Sequence, residues 1–163
     1  MQFEGKTDPT FLVDAMLGNI ARKLRLMGFD CMYDSQINDD ELIKQANKDN
    51  RIIISRDCDL IRKSLKIGMR SILLENKDEL DQLLEIIKKL KLKKVEISGD
   101  NARCPKCNFK TETIKKESVH SKIPKKVLEN NEKFWICRNC NKIFWEGSHM
   151  INLQKLTSEL NEK

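Results

Sequence analysis

Apolar residues arrive along this chain in short runs separated by charged stretches, and the spacing inside each run tells strand from helix. Phe11-Leu12-Val13 is a run of strand length that ends on the carboxylate of Asp14. After it Leu17, Ile20, Ala21 and Leu24 recur at helical spacing, and Gly28 stops that helix. Cys31-Met32-Tyr33 reads as a second strand, and Asn38 with Asp39 opens a helix through "DDELIKQANKDN" that Asn50 closes. The third strand is "RIIIS", followed by a helix through Leu60, Ile61 and Leu65 up to Gly68, and "RSILLE" is a fourth strand. From Asp78 to Lys91, Leu80, Leu83, Leu84, Ile87 and Leu90 form one stripe, with an acidic first turn and a basic last turn as the helix dipole favours.

Strands alternating with helices at these lengths indicate an α/β unit with a mainly parallel sheet. Right-handed crossovers then bring all strand C-termini to one edge, where such folds bind ligands. "LKLKKVEISGDNA" reads as a linker, with room for one more strand at Val95 to Ile97. The expected division is residues 1–98 for the α/β domain and 99–163 for a small second module with a C-terminal tail.

Composition narrows the class. The chain has 163 residues, 39% of them hydrophobic and 34% charged. That suffices for a medium domain plus a small module. No run of membrane-spanning length exists, so no membrane partner is expected. The opening "MQFEGKTDPTFLVD" lacks a basic region followed by an apolar run and reads as no secretory signal. A cytoplasmic, reducing setting follows, in which six cysteines point to metal ligands before disulfides. The net charge of +6 is unevenly placed: residues 1–98 carry 18 Lys and Arg against 17 Asp and Glu, residues 99–163 carry 13 against 8. A basic module beside a nearly neutral domain suits a polyanionic partner, although a solvated surface accounts for the same charge.

The opening question of chemistry is why the apolar strand "RIIIS" runs straight into Arg56-Asp57-Cys58-Asp59. In a parallel sheet, Asp14 after the first strand and Asp57 and Asp59 after the third share one edge, and Asp39 at the start of the second helix joins them. Carboxylates so gathered repel one another unless cations sit between them, and oxygen-only sets suit Mg²⁺ or Mn²⁺. Such ions serve phosphodiester hydrolysis. The competing reading is that Asp39 and Asp57 only cap helices and Asp59 only complements a dipole. No glycine-rich phosphate loop and no Ser-His-Asp arrangement offers a rival chemistry.

"CPKC" at Cys104 and Cys107 and "CRNC" at Cys137 and Cys140 supply the four thiolates of a structural zinc site. Their separation requires an inserted loop over residues 109–133, basic and mobile in expectation. Cys31 and Cys58 read as small apolar fillers. Phe134, Trp135, Phe144 and Trp145 bracket the second pair and read first as the core of the module, second as a base-stacking platform. His149 is open between contact with phosphate and simple exposure.

"FLVDAMLGNIARKLRLMGFD", "NDDELIKQANKDNRIIISRDCDL", "RCPKC" and "FWICRNCNKIFWEGSHM", in that order, resemble the Mut-seven C-terminal RNase domain family. The resemblance implies a PIN-like three-layer α/β/α sandwich followed by a zinc ribbon, divalent-metal hydrolysis, and RNA as substrate. It carries the acidic positions onto Asp14, Asp39, Asp57 and Asp59, and the ribbon ligands onto Cys104, Cys107, Cys137 and Cys140. Arg25 and Arg56 occupy its "LR" and "RD" positions. The expected function is a metal-dependent ribonuclease, with Zn structural and Mg or Mn catalytic. Arg25, Arg56, Lys125, Lys126 and Arg138 would hold the RNA backbone. The alternative is a non-catalytic RNA-binding or ribosome-associated zinc-ribbon protein. A phospho-receiver domain is disfavoured because the first strand ends on one aspartate, not an acidic pair.

Overall fold

Four apolar runs pair side by side as β1 (Phe11–Val13), β2 (Cys31–Tyr33), β3 (Ile52–Ser55) and β4 (Ser71–Leu73), in the order β2-β1-β3-β4. All three pairings are parallel, with Val13 opposite both Tyr33 and Ile54. The computed structural model describes residues 7–162, so the reading of the opening segment falls in part on residues outside those described. Among the described residues no helix is long and apolar enough to cross a membrane. Close packing divides the chain into two compact units, one running to Leu24 and resuming over Phe29–Lys93, the other joining Arg25–Gly28 to the residues from Lys94 onward.

In the first unit β1 and β3 are buried along their whole length, as strands covered on both faces must be. The helices are α1 (Gly18–Leu26), α2 (Asp39–Asp49), α3 (Cys58–Lys66) and α4 (Glu79–Lys89). The chain steps from β1 outward to β2, then back across β1 to β3 and on to β4. Right-handed crossovers therefore put α1 on one face and α2 and α3 on the other. The packing agrees: Leu12 and Ile53 share a core with Leu42 and Ala46 of α2 and Leu60 and Ile61 of α3. Strand alternation sends Phe11, Val13, Ile52 and Ile54 to the opposite face. This is the mixed α/β architecture with a parallel sheet flanked by helices that the patterning indicates.

Local signals set the helix ends. Asn38 Oδ1 accepts from Glu41 N–H at 3.0 Å, and Asn50 closes α2 in the left-handed conformation with φ 53°. The stripe expected on α4 is rotated. Leu80 is 45% exposed, whereas Leu83, Ile86, Ile87 and Leu90 face inward with Gln82 and Glu85. The cause is polar: Glu85 accepts from Glu75 N–H at 3.1 Å and from Asn76 Nδ2 at 2.9 Å. Gln82 Nε2 donates to Asn76 O at 2.9 Å. Turning these two side chains inward satisfies the backbone of the β4–α4 connection, and Leu80 is left outside. Cys31 is buried, but Cys58 is exposed and fills no core.

In the second unit β5 (Glu112–Ile114), β6 (Phe134–Ile136) and β7 (Ile143–Phe144) form an antiparallel sheet in that order. The 109–133 segment, expected as a mobile loop, carries β5 and two short helices, α5 (Lys116–Val119) and α6 (Lys125–Asn130). Val119 and Leu128 close a small core on Phe134, with Ile114, Ile123 and Val127 around it. The apolar residues spaced through the lysines thus have a face to bury. Val95 to Ile97 is not a strand. Its backbone bonds go to side chains of α7 (Ser148–Asn161): Asn161 Nδ2 donates to Val95 O at 3.0 Å and Gln154 Nε2 to Ile97 O at 2.9 Å.

Glu85 gives a pH-dependent test of the first unit. Burial raises its pKa, but hydrogen bonds from Lys89, Asn76 and Glu75 outweigh that and hold it below the ordinary carboxylate value. A carboxylate depressed by folding stabilises above its unfolded pKa, about 4.3, and loses that contribution as pH falls through the folded value. Glu85→Gln should lower unfolding free energy by about 1–2 kcal/mol at neutral pH, and the gap to wild type should close in acid. Denaturant unfolding across pH checks this; a gap that does not change with pH would refute it.

Candidate active edge and candidate metal centre

Parallel register brings two carboxylates to neighbouring strand ends. Asp14 N–H donates to Ile54 O at 3.0 Å, extending the β1–β3 ladder by one residue. Ser55, fully buried at the end of β3, donates from Oγ to Asp14 Oδ2 at 2.7 Å. The same Oγ accepts from Asp57 N–H at 2.9 Å. Asp57 then caps α3, its Oδ1 accepting from Asp59 N–H at 2.8 Å and Leu60 N–H at 3.3 Å. One oxygen of each aspartate is thereby fixed, while Asp14 Oδ1 and Asp57 Oδ2 stand outside these bonds. Strands β1 and β3 are also the pair at which the strand order reverses, the point where open parallel sheets form a crevice.

The other sequence-indicated positions scatter. Asp39 begins α2 at the same end of the sheet, with Asn38 and not Asp39 serving as the cap. Asp59 is exposed and pairs with Arg62 at 2.9 Å. Among the described residues the only set of three or more His, Cys, Asp or Glu ligand atoms within 4.8 Å of one another is the four cysteines, so the four aspartates do not close into one cluster. Arg56 is exposed beside Asp57. Arg25 departs from expectation: it is 5% exposed and donates from Nη1 to Pro105 O at 2.8 Å. A guanidinium committed to the "CPKC" backbone within the second unit is a structural group, not an RNA contact. Lys125 and Lys126 are exposed on α6, and Arg138 is exposed with Nε 3.0 Å from Glu112.

Next to the carboxylates lies a cavity of about 380 Å³ bordered by Met16, Arg22, Tyr33, Arg56, Lys77 and Glu79. Met16 is 90% exposed in the 3₁₀ turn that follows Asp14. Tyr33 Oη donates to Ala15 O at 2.8 Å, pinning that turn to the end of β2. A Cβ on Gly18 would stand 2.8 Å from this hydroxyl, so only glycine lets the tyrosine lie there. Glu79 is bound by Lys23 and by Asn19 Nδ2, and the Lys23 hydrogen bond is the main reason its pKa is lowered. Sequence patterning missed Ser55, Met16 and Tyr33. Only Ser55 left a signal, as the one polar residue at the buried end of an apolar run.

The cysteine site is built from two copies of one turn. Cys104 N–H donates to Phe109 O and Asn108 N–H returns to Cys104 O, at 2.8 and 2.9 Å. Cys137 repeats this with Lys142 O and Asn141 N–H, at 2.9 and 2.7 Å. Asn108 and Asn141, each just after the second cysteine of its pair, take φ of 67° and 59°, a conformation asparagine tolerates better than most residues. The two turns face their thiols together, with Cys104 and Cys140 sulfurs 3.7 Å apart and Cys107 and Cys137 sulfurs 3.3 Å apart. Four thiolates about 2.3 Å from a tetrahedral zinc stand about 3.8 Å from one another, so the donor set fits a metal such as zinc. Burial pushes the Cys104 thiol up to about 12 and raises Cys137 as well. At Cys107 burial also acts upward, but hydrogen bonds with Cys137 and Asn139 outweigh it and leave the thiol at about 6. Metal uptake must therefore displace protons.

The Mut7-C RNAse domain family model matches residues 9–157, nearly the whole chain. No curated protein matches it.

The four-cysteine geometry should hold one zinc per chain. Cys104→Ser removes a ligand from the buried side of the site, and zinc content measured by elemental analysis should fall well below one per chain. Binding energy of a small structural zinc site is on the order of 10 kcal/mol, so the antiparallel sheet of the second unit should lose its fold in that variant. Full zinc occupancy in Cys104→Ser would contradict a four-thiolate site.

Proposed function

The chain belongs to the Mut7-C RNAse domain family, and from that premise we propose that it is a divalent-metal-dependent ribonuclease acting at the Asp14–Ser55–Asp57 edge. The observation that supports this most is one buried hydroxyl, at the strand-order reversal, that ties the Asp14 carboxylate to the backbone N–H of Asp57. Residues 1–98 form the nuclease part in this reading, and 99–163 the zinc-ribbon part that aids RNA binding.

Mg²⁺ is commonly held by one or two carboxylates together with waters and substrate phosphates, so two aspartates with a free oxygen each are a sufficient protein contribution. Bound there, Mg²⁺ or Mn²⁺ supplies Lewis acidity to the phosphoryl group and lowers the pKa of the attacking water. Ser55 orients Asp14 through its hydroxyl proton, and the α3 cap fixes the rotamer of Asp57. Asp39 and Asp59, in the first turns of α2 and α3, add negative charge at the same end of the sheet. Arg56, exposed next to Asp57, would bind a phosphate of the strand. Lys125, Lys126 and Arg138 contribute affinity through charge without reading sequence.

The capping bonds of Asp57 favour a second reading, in which the chain binds RNA without cutting it. Asparagine caps helices as well as aspartate does, so Asp57→Asn keeps α3 and removes only the charge. On the ribonuclease reading RNA affinity persists while turnover falls about a thousandfold or more, the loss expected for several kcal/mol of transition-state stabilisation. Wild-type cleavage by Asp57→Asn, or no metal-dependent cleavage by wild type, would leave only the binding reading. Neutralising Lys125, Lys126 and Arg138 together should weaken binding to all RNA sequences. The log–log salt slope should become shallower by about two for three lost single-strand phosphate contacts, with turnover at saturating RNA little changed.

A further inference from the structure

The second unit contains a cavity of about 400 Å³ that neither the zinc site nor the acidic edge uses. Its walls include Trp135, Phe144 and Trp145 on the sheet side, Arg103 from the turn before the first cysteine pair, and Ser148 and His149 from the start of α7. We propose that this cavity binds a nucleotide of single-stranded RNA, with its base against the Phe144 and Trp145 faces and its phosphate toward Arg103 and His149.

Three observations carry it. The aromatic residues divide by burial into two roles. Phe134 and Trp135 are core, and the Trp135 indole donates to Asp100 Oδ1 at 3.0 Å and lies where a Cβ on Gly99 would come within 2.3 Å of it. Phe144 and Trp145 are only half-buried. The Lys142 ammonium lies 5.8 Å over the Phe144 ring, and no acceptor for the Trp145 indole N–H is found among the described contacts. Trp145 thus has face and edge to offer, while Phe144 shares its ring with a cation that would also favour a phosphate. Arg103 is held at one end, Nη1 donating to Asn108 O at 2.8 Å, while its Nε is buried without an acceptor. A buried guanidinium nitrogen left so is costly unless a ligand meets it. Finally, residues 99–163 carry 13 Lys and Arg against 8 Asp and Glu, a sign that attracts a polyanion such as RNA and gives no reason to attract a purely apolar ligand. A flat aromatic surface beside a guanidinium is the combination that nucleotides use and that aliphatic ligands do not need. Glu146, whose carboxylate accepts from Gly99 N–H at 3.1 Å, does not border the cavity.

The inference rests on the ribonuclease reading for its choice of RNA, and its test keeps the two apart. Binding of an unstructured RNA oligonucleotide is followed by quenching of tryptophan emission with the zinc-loaded full chain, using Asp57→Asn as the background so that nothing is cut. AMP and inorganic phosphate serve as parallel probes. Trp145→Ala should weaken RNA binding about tenfold to a hundredfold, the range seen for one stacked base, and should remove most of the quench. Because Trp145 also touches the small core with Phe134, Trp145→Phe and His149→Ala are measured too. Phenylalanine keeps the packing and should retain part of the affinity, and the exposed His149 should cost severalfold without altering zinc content. AMP should compete with the oligonucleotide more strongly than phosphate does. RNA binding unchanged in both His149→Ala and Trp145→Phe, with no quench of wild-type emission, would overturn the proposal even if the wild-type chain cuts RNA. Conversely, quenching and competition in a chain that never cuts RNA would uphold the pocket and sink the ribonuclease.

Discussion

Everything proposed for the acidic edge depends on the parallel pairing of β1 with β3. Side chains in a strand alternate faces, so a slip of one residue would turn Asp14 or Ser55 to the wrong side. The register sets Val13 opposite Ile54, and the apolar triplets on both strands lock it because every one of their side chains is buried. The hydrogen bond from Asp14 N–H to Ile54 O and the link from Ser55 Oγ to Asp14 Oδ2 follow from that register. The site is thus a consequence of core packing, and its precision comes from strands instead of loops.

The two proposed metal sites differ in donor atom. The paired aspartates stand at strand ends of the first unit, and the four clustered thiols on the paired turns of the second. Hard divalent ions favour the former set and zinc the latter. Their structural contexts differ in the same sense. Asp14 Oδ1 and Asp57 Oδ2 stand outside the Ser55 and α3-cap hydrogen bonds, as the proposed exchanging site would need. Four cysteines fill a tetrahedron and leave none, which suits a staple for a module too small to rely on its own core.

Much of this was legible in the residues, and the failures share a cause. Strand lengths, helix caps at Asn38 and Asn50, and the paired C-x-x-C turns are local signals, readable within a few residues of the feature they create. What was not legible depends on partners far along the chain. Arg25 looks like a surface cation on a helical wheel, but the carbonyl of Pro105 makes it internal. Hydrophobicity alone sets the α4 stripe on Leu80, whereas the N–H groups of Glu75 and Asn76 rotate it by drawing Glu85 inward. Val95 to Ile97 has strand composition, yet asparagine and glutamine side chains of α7 answer its backbone. Lysines dominate the composition of the 109–133 segment, but its sparse valines, leucine and isoleucines decide its packing. Helix α7 itself could have been found from Met150, Leu153 and Thr157, which bury one face at helical spacing.

The most direct test of the central claim is where a divalent ion sits. Mn²⁺ added at low stoichiometry to the zinc-loaded chain broadens the amide resonances nearest to it. The account expects broadening centred on Asp14 to Leu17 and on Ser55 to Asp59, the two segments that the β1–β3 register brings together, and its loss in Asp14→Asn. Broadening centred instead on other exposed carboxylates, such as Asp34 or Glu41, and unchanged by Asp14→Asn, would contradict it.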